Sequence, residues 1–228
     1  MEDSPLSRRR LLWGAAGAAG AALAAVGLPR LMGPEEKGGL PGPVRKVPVA
    51  VGPSVVRRPD PLVDYAPAVW AEACESNYTP SDRPEEYPIE YVVIHLTTDI
   101  LPVMLATFKD PSERVSAHYV VSATGTRIAQ CVRERDVAWH SGNVWYNYRS
   151  IGIEHEGWMD QPVFTDGMYQ ASAVLTATVC AKYEVPVDRD HILGHIEVPE
   201  STHEDPGPAW NWAKYMKLVE AAHRRIRA

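Results

Sequence analysis

Three observations in the sequence predict an α/β fold. Short apolar runs ending on polar residues, Tyr91 to His95 and Ser150 to His155, read as strands. Two longer stretches, Met168 to Tyr183 and Trp212 to Ile226, carry apolar residues at helical spacing. Strand and helix patterns alternate along one stretch of ordinary domain size, with no internal repeat.

From the N-terminus, Ser7, three consecutive arginines (Arg8, Arg9, Arg10), Leu11 and Leu12 precede a Gly/Ala-rich apolar run to Leu28. Residues 1–31 are therefore expected to be a twin-arginine export signal, with Ala22-Leu23-Ala24 as a cleavage option. An uncleaved anchor is the alternative; the Ala and Gly content makes the run weakly apolar, so no permanent membrane span is expected after cleavage. Residues 32–64 are rich in Pro and Gly, a composition that blocks helix and sheet interiors, and are expected to be a linker. A domain is expected over 65–228, opening with a short helical pattern from Tyr65 to Ser76.

Within it, Tyr91 to His95 is apolar on both faces and predicts a central strand. His118 to Ser122 and Arg127 to Val132 flank a Thr124-Gly125 turn and predict a hairpin. Ile192 to Gly194 reads as a buried strand end, and the helix from Met168 stops before Pro186. The formal charge of -6 and the lack of a nucleic-acid motif argue against a nucleic-acid partner. Cys74, Cys131 and Cys180 have no C-x-x-C spacing; reduced, buried thiols are expected, with Cys131–Cys180 the alternative pairing.

Chemistry concentrates at strand ends and in the segment from His195 to Trp212. His195 and Asp205 bracket a loop, Pro206-Gly207-Pro208 fixes the backbone after the aspartate, and His95 ends the central strand. Two imidazoles and a carboxylate would leave one tetrahedral position of Zn²⁺ open, the mark of a catalytic site. The spacing alone leaves open whether the three meet. Strand alternation puts Ile151 and Ile153 on one face and Gly152 and Glu154 on the other, so Glu154 is expected to enter the cleft, with Gly152 leaving room for substrate backbone. His155 then points away, and His191 is left out of the site. No H-E-x-x-H helix of a metalloprotease is present, and a two-carboxylate glycosidase site would leave the metal-type residues unexplained.

Seven patches occur in order: SNYTPSDRP (76–84), YVVIHLTT (91–98), VSAHYVVSATGTRIAQCV (115–132), DVAWHSGN (136–143), SIGIEHEG (150–157), ILGHIEVP (192–199) and HEDPGPAWNWAKYM (203–216). Together they resemble the zinc-dependent N-acetylmuramoyl-L-alanine amidases of the type 2 family, relatives of phage lysozyme-type amidases and peptidoglycan recognition proteins. The resemblance implies a mixed central β-sheet flanked by helices, with a zinc cleft on one face. It implies His95, His195 and Asp205 as zinc ligands and Glu154 as the general base. It also implies His203 as the oxyanion partner, where many relatives carry lysine. His118 and His140 match cleft positions, and Trp139, Trp145 and Asn147 are candidates to contact sugar or peptide. The implied reaction is hydrolysis of the amide between N-acetylmuramic acid and L-alanine in peptidoglycan or a muropeptide, outside the cytoplasm. A non-catalytic muropeptide receptor on the same fold is the alternative; it would lack a ligand, and all are present.

Overall fold

The computed structural model describes residues 63–228. The expected signal peptide and all but the last two linker residues lie outside the described residues. Those two belong with the domain: Val63 packs on the main core, and the Asp64 carboxylate pairs with Arg133 at 2.9 Å.

Among the described residues eight strands are formed: β1 (Val69–Trp70), β2 (Tyr78–Thr79), β3 (Tyr91–Leu96), β4 (Tyr119–Val121), β5 (Ile128–Gln130), β6 (Val137–Ala138), β7 (Ser150–His155) and β8 (Ile192–Gly194). Six of them make one sheet in the order β1-β5-β4-β7-β3-β8, and β2 pairs with β6 in a small antiparallel ladder. Only the β4–β5 hairpin is antiparallel within the large sheet. The sheet is thus mixed, as expected. The helices are α1 (Leu101–Lys109), α2 (Val144–Arg149), α3 (Asp166–Tyr183) and α4 (Trp212–Arg227).

Strand alternation divides the interior. Val92, Ile94, Ile151, Ile153, Tyr119 and Ile192 join the buried faces of α3 and α4 in the larger core. Val120, Ala129 and Cys131 join Leu101, Met104 and Phe108 of α1 in a smaller one. Both α3 and α4 start on a side-chain cap: Thr165 accepts from the Met168 N–H and Asn211 from the Lys214 N–H. Where α3 meets α4, the Tyr215 hydroxyl bonds Ser172 at 2.8 Å and Thr176 at 2.7 Å, which keeps these polar groups satisfied in the core.

The helix expected over Tyr65 to Ser76 does not form. Pro67 interrupts it, and the backbone finds long-range partners instead: Val69 and Trp70 lie beside Ala129 and Gln130, while the Ala71 and Ala73 N–H groups donate to the Gln130 and Cys131 carbonyls. α1 was not anticipated; Pro102 in its first turn and Leu101, Met104 and Phe108 on one face are its signals. All three cysteines are free, with Cys131 and Cys180 buried in different cores. Burial pushes both thiols up to about 12.

Candidate metal centre

Parallel strands bring the chemistry together. β3 lies between β7 and β8, with His95 directly beside Glu154, and His195 follows the end of β8. In a parallel pair, residues in register share a face, so His95 and Glu154 emerge side by side at the carboxyl ends of the strands. The Asp205 loop closes over them. The Ile196 N–H donates to the Asp205 carbonyl at 3.0 Å, and Pro206 approaches Gly194 so closely that a β-carbon there would lie 2.8 Å from the proline Cδ.

His95, His195 and Asp205, all buried, therefore meet, with one ligand atom from each lying within 4.8 Å of the others. His95 Nδ1 is 3.1 Å from His195 Nδ1 and 3.3 Å from Asp205 Oδ2; His195 Nδ1 is 3.1 Å from Asp205 Oδ1. His195 Nε2 faces the Ser141 carbonyl at 3.1 Å. A carbonyl only accepts, so Nε2 is the donor there and Nδ1 is the nitrogen left facing His95 and the Asp205 carboxylate. Burial lowers the His95 pKa to about 4, which keeps that ring neutral. Two nitrogens and a carboxylate with their lone pairs aimed at one point suit a small divalent cation, and the N₂O set suits Zn²⁺.

Glu154 completes the group. Its Oε2 is buried with no hydrogen-bond partner, and burial first, then the Asp205 charge, raises its pKa well above the usual carboxylate range. His203 lies at the exposed mouth, its ring stacked on His195 at 4.4 Å and 13°, with Nδ1 3.8 Å from Asp205 Oδ1. Trp145 is 36% exposed and stacks with Arg149; half-buried Trp139 donates its indole N–H to Thr79.

The structure places the other three candidates behind the site. His118 is fully enclosed: its Nδ1 accepts from the Gly152 N–H, and its Nε2 faces the Asp136 carbonyl. His140 lies between His95 Nε2, at 2.9 Å, and Ser150 Oγ, at 3.1 Å. Asn147 is buried, and its Oδ1 accepts from the His140 and Ser141 N–H groups. These polar atoms are committed within the protein, so the residues shape the site from the interior and do not line an open cleft. Gly152 is corrected likewise. The space beside it holds the His140 ring, whose Cγ would lie 2.6 Å from an added β-carbon.

Arg83 was missed from sequence. Buried at 3% exposure, its guanidinium donates to five carbonyls, those of Asn147, Tyr148, Ser150, Glu134 and Asp136. It thereby ties the start of β7 to the segment before β6. A lone arginine before a proline has no periodic signature; its place in the first of the seven patches was the only signal.

Comparison with known proteins identifies the family. Residues 85–208, more than half the chain, match the N-acetylmuramoyl-L-alanine amidase family model. The chain belongs to this family. N-acetylmuramoyl-L-alanine amidase A of Achromobacter lyticus is 30% identical over 175 residues, covering 69% of this chain and 96% of that protein. The 1,6-anhydro-N-acetylmuramyl-L-alanine amidase AmpD of Salmonella typhimurium is 39% identical over 120 residues, covering 50% of this chain and 62% of its own length. Among solved structures, a selenomethionine derivative of AmpD superposes with a TM-score of 0.57 at 28% identity, covering 68% of this chain and 96% of that one. AmiD of Escherichia coli, in complex with the substrate anhydro-N-acetylmuramic acid-L-Ala-D-gamma-Glu-L-Lys, superposes with a TM-score of 0.51 at 26% identity, covering 63% and 66%. The mixed sheet with flanking helices is the fold of this amidase family, and the chain is an amide hydrolase.

Proposed function

We propose that this amidase is an exported zinc enzyme that hydrolyses the amide between N-acetylmuramic acid and the L-alanine of a peptidoglycan stem peptide. The observation that carries the reading is the convergence of His95 Nδ1, His195 Nδ1 and the Asp205 carboxylate beside the unpartnered Glu154 oxygen. The likeness to AmiD, solved with a muropeptide, supports a muropeptide substrate.

His95, His195 and Asp205 would hold the ion, and Zn²⁺ bound there supplies Lewis acidity toward the scissile carbonyl and toward water. Glu154 accepts the proton of the attacking water. It then returns that proton to the departing alanine amine, which must leave neutral. His203, at the mouth beside the ligands, donates a hydrogen bond to the developing oxyanion. Trp145, 36% exposed, offers sugar or peptide an apolar contact.

Export rests on the arginine and apolar pattern of residues 1–31. No helix among the described residues is long and apolar enough to cross a membrane. The test is to incubate the purified chain with a muropeptide and identify products by mass spectrometry, with and without a chelator. Release of free stem peptide that stops on chelation and returns with Zn²⁺ is expected; full turnover by metal-free protein refutes the zinc assignment. Cell fractionation with Arg8 and Arg9 replaced by lysine should retain the protein in the cytoplasm; unchanged export refutes the twin-arginine reading.

A further inference from the structure

We propose that His140 and Ser141 form a positioning pair that holds both histidine ligands in one tautomer, Nε2–H, so that both present Nδ1 to the ion. The inference deepens the zinc reading and rests on it.

It follows from counting protons along a closed chain of contacts. Ser150 Oγ has one hydrogen, and the Tyr146 carbonyl 2.6 Å away only accepts, so the serine donates there. The 3.1 Å contact between Ser150 Oγ and His140 Nε2 must then use the imidazole proton, which puts hydrogen on His140 Nε2 and leaves its Nδ1 bare. His95 Nε2, 2.9 Å from that nitrogen, is therefore the donor, and the lone pair of His95 falls on Nδ1, the atom facing His195 and Asp205. The next residue does the same for the second ligand, since the Ser141 carbonyl fixes the proton of His195 on Nε2.

The pair is itself held. Asn147 Oδ1 takes the N–H groups of both residues at 3.1 and 2.9 Å and lies 2.8 Å from Ser141 Oγ. His140 also has no room to swing, because its ring fills the space that Gly152 leaves. Outer hydrogen bonds of this kind fix ring orientation and raise ligand basicity. His140 and Ser141 thus act through His95 and His195 without touching substrate.

The test measures zinc affinity by chelator competition and the His95 imidazole ¹⁵N shifts in metal-free full-length protein. Wild type should show His95 protonated at Nε2. His140→Phe keeps a ring without an acceptor and should weaken zinc by about 10- to 100-fold, with His95 moving to a mixture of tautomers. His140→Asn restores an acceptor near the old Nδ1 and should recover most of the affinity. Ser150→Ala, the smaller change if His140→Phe does not fold, should also mix the His95 tautomers. Wild-type zinc affinity in His140→Phe, or an unchanged His95 pattern in every variant that folds, overturns the proposal. Failure of wild type to bind zinc would refute the metal reading alone; the metal-free spectrum would still decide the tautomer, and Nδ1–H in wild type would overturn the pair's role.

Discussion

Replacing Gly152 by alanine probes the site without touching a proposed ligand or the general base. The new β-carbon would sit 2.6, 2.7 and 2.8 Å from Cγ, Cδ2 and Nδ1 of His140. Ordinary carbon contacts begin near about 3.5 Å, so the ring must retreat by about 1 Å. It is flanked by His95 and His118, with ring centroids at 5.0 and 5.8 Å, which blocks an easy retreat. Overpacking of this kind costs about 1–3 kcal/mol. A shift of that size also spoils the 2.9 Å hydrogen bond to His95, for about 1 kcal/mol more. The total is about 2–4 kcal/mol. With a urea slope of about 2 kcal/mol/M, the unfolding midpoint should fall by roughly 1–2 M. Zinc affinity should fall with it, by about 10-fold or more. Urea unfolding by circular dichroism and chelator competition measure the two effects. A midpoint within about 0.3 M of wild type together with unchanged zinc binding would show that His140 is not packed as described.

Other perturbations separate the roles. Glu154→Gln should keep zinc and lower kcat by about 10² to 10⁴, read from steady-state muropeptide turnover; a change of only a few-fold would remove Glu154 as the base. His203→Ala should lower kcat by roughly 10² with zinc retained, and an unchanged kcat makes it a bystander. For Asp64, burial works against the charge, but hydrogen bonds from Arg133, the Glu134 N–H and Gln130 prevail and hold its pKa below the usual carboxylate value. A depressed carboxyl stabilises the fold above its unfolded pKa of about 3.9 and loses that contribution as pH falls through the lower folded value. Asp64→Asn should therefore cost about 1–2 kcal/mol at pH 7, and in urea titrations the difference should shrink as pH falls below the usual carboxylate range and through the lower folded value; a pH-independent difference contradicts this. In native protein a thiol reagent should modify Cys74 and spare Cys131 and Cys180, and rapid labelling of either buried thiol would contradict their placement.

The strands were legible where neighbouring residues set their own pattern. Tyr91 to His95, Ser150 to His155, the hairpin and both long helices are marked by periodicity and caps, and all lie where expected within a residue or two. The same alternation put Glu154 opposite Ile151 and Ile153. His155 also lies as expected on the α3 side, its Nδ1–H donating to the His95 carbonyl and its Nε2 bonded to Ser172. What could not be read was set by distant chain. β1 exists because β5 offers it a backbone partner, so local propensity at Tyr65 to Ser76 pointed to a helix. His118, His140 and Asn147 read as cleft residues because residue type shows chemistry and not depth. Their burial depends on loops from 83 and 134–136 wrapping the β7 start, which no local pattern encodes.

The division of the sheet has a practical consequence for engineering. Val92, Ile94, Ile151 and Ile153 serve the packing against α3 and α4, whereas His95, Gly152 and Glu154, interleaved with them on the same two strands, serve the chemistry. Consensus or library changes on α3 and α4 can thus be screened for heat resistance with little risk to turnover. A one-residue insertion within β3 or β7 would exchange the two faces and forfeit both properties at once.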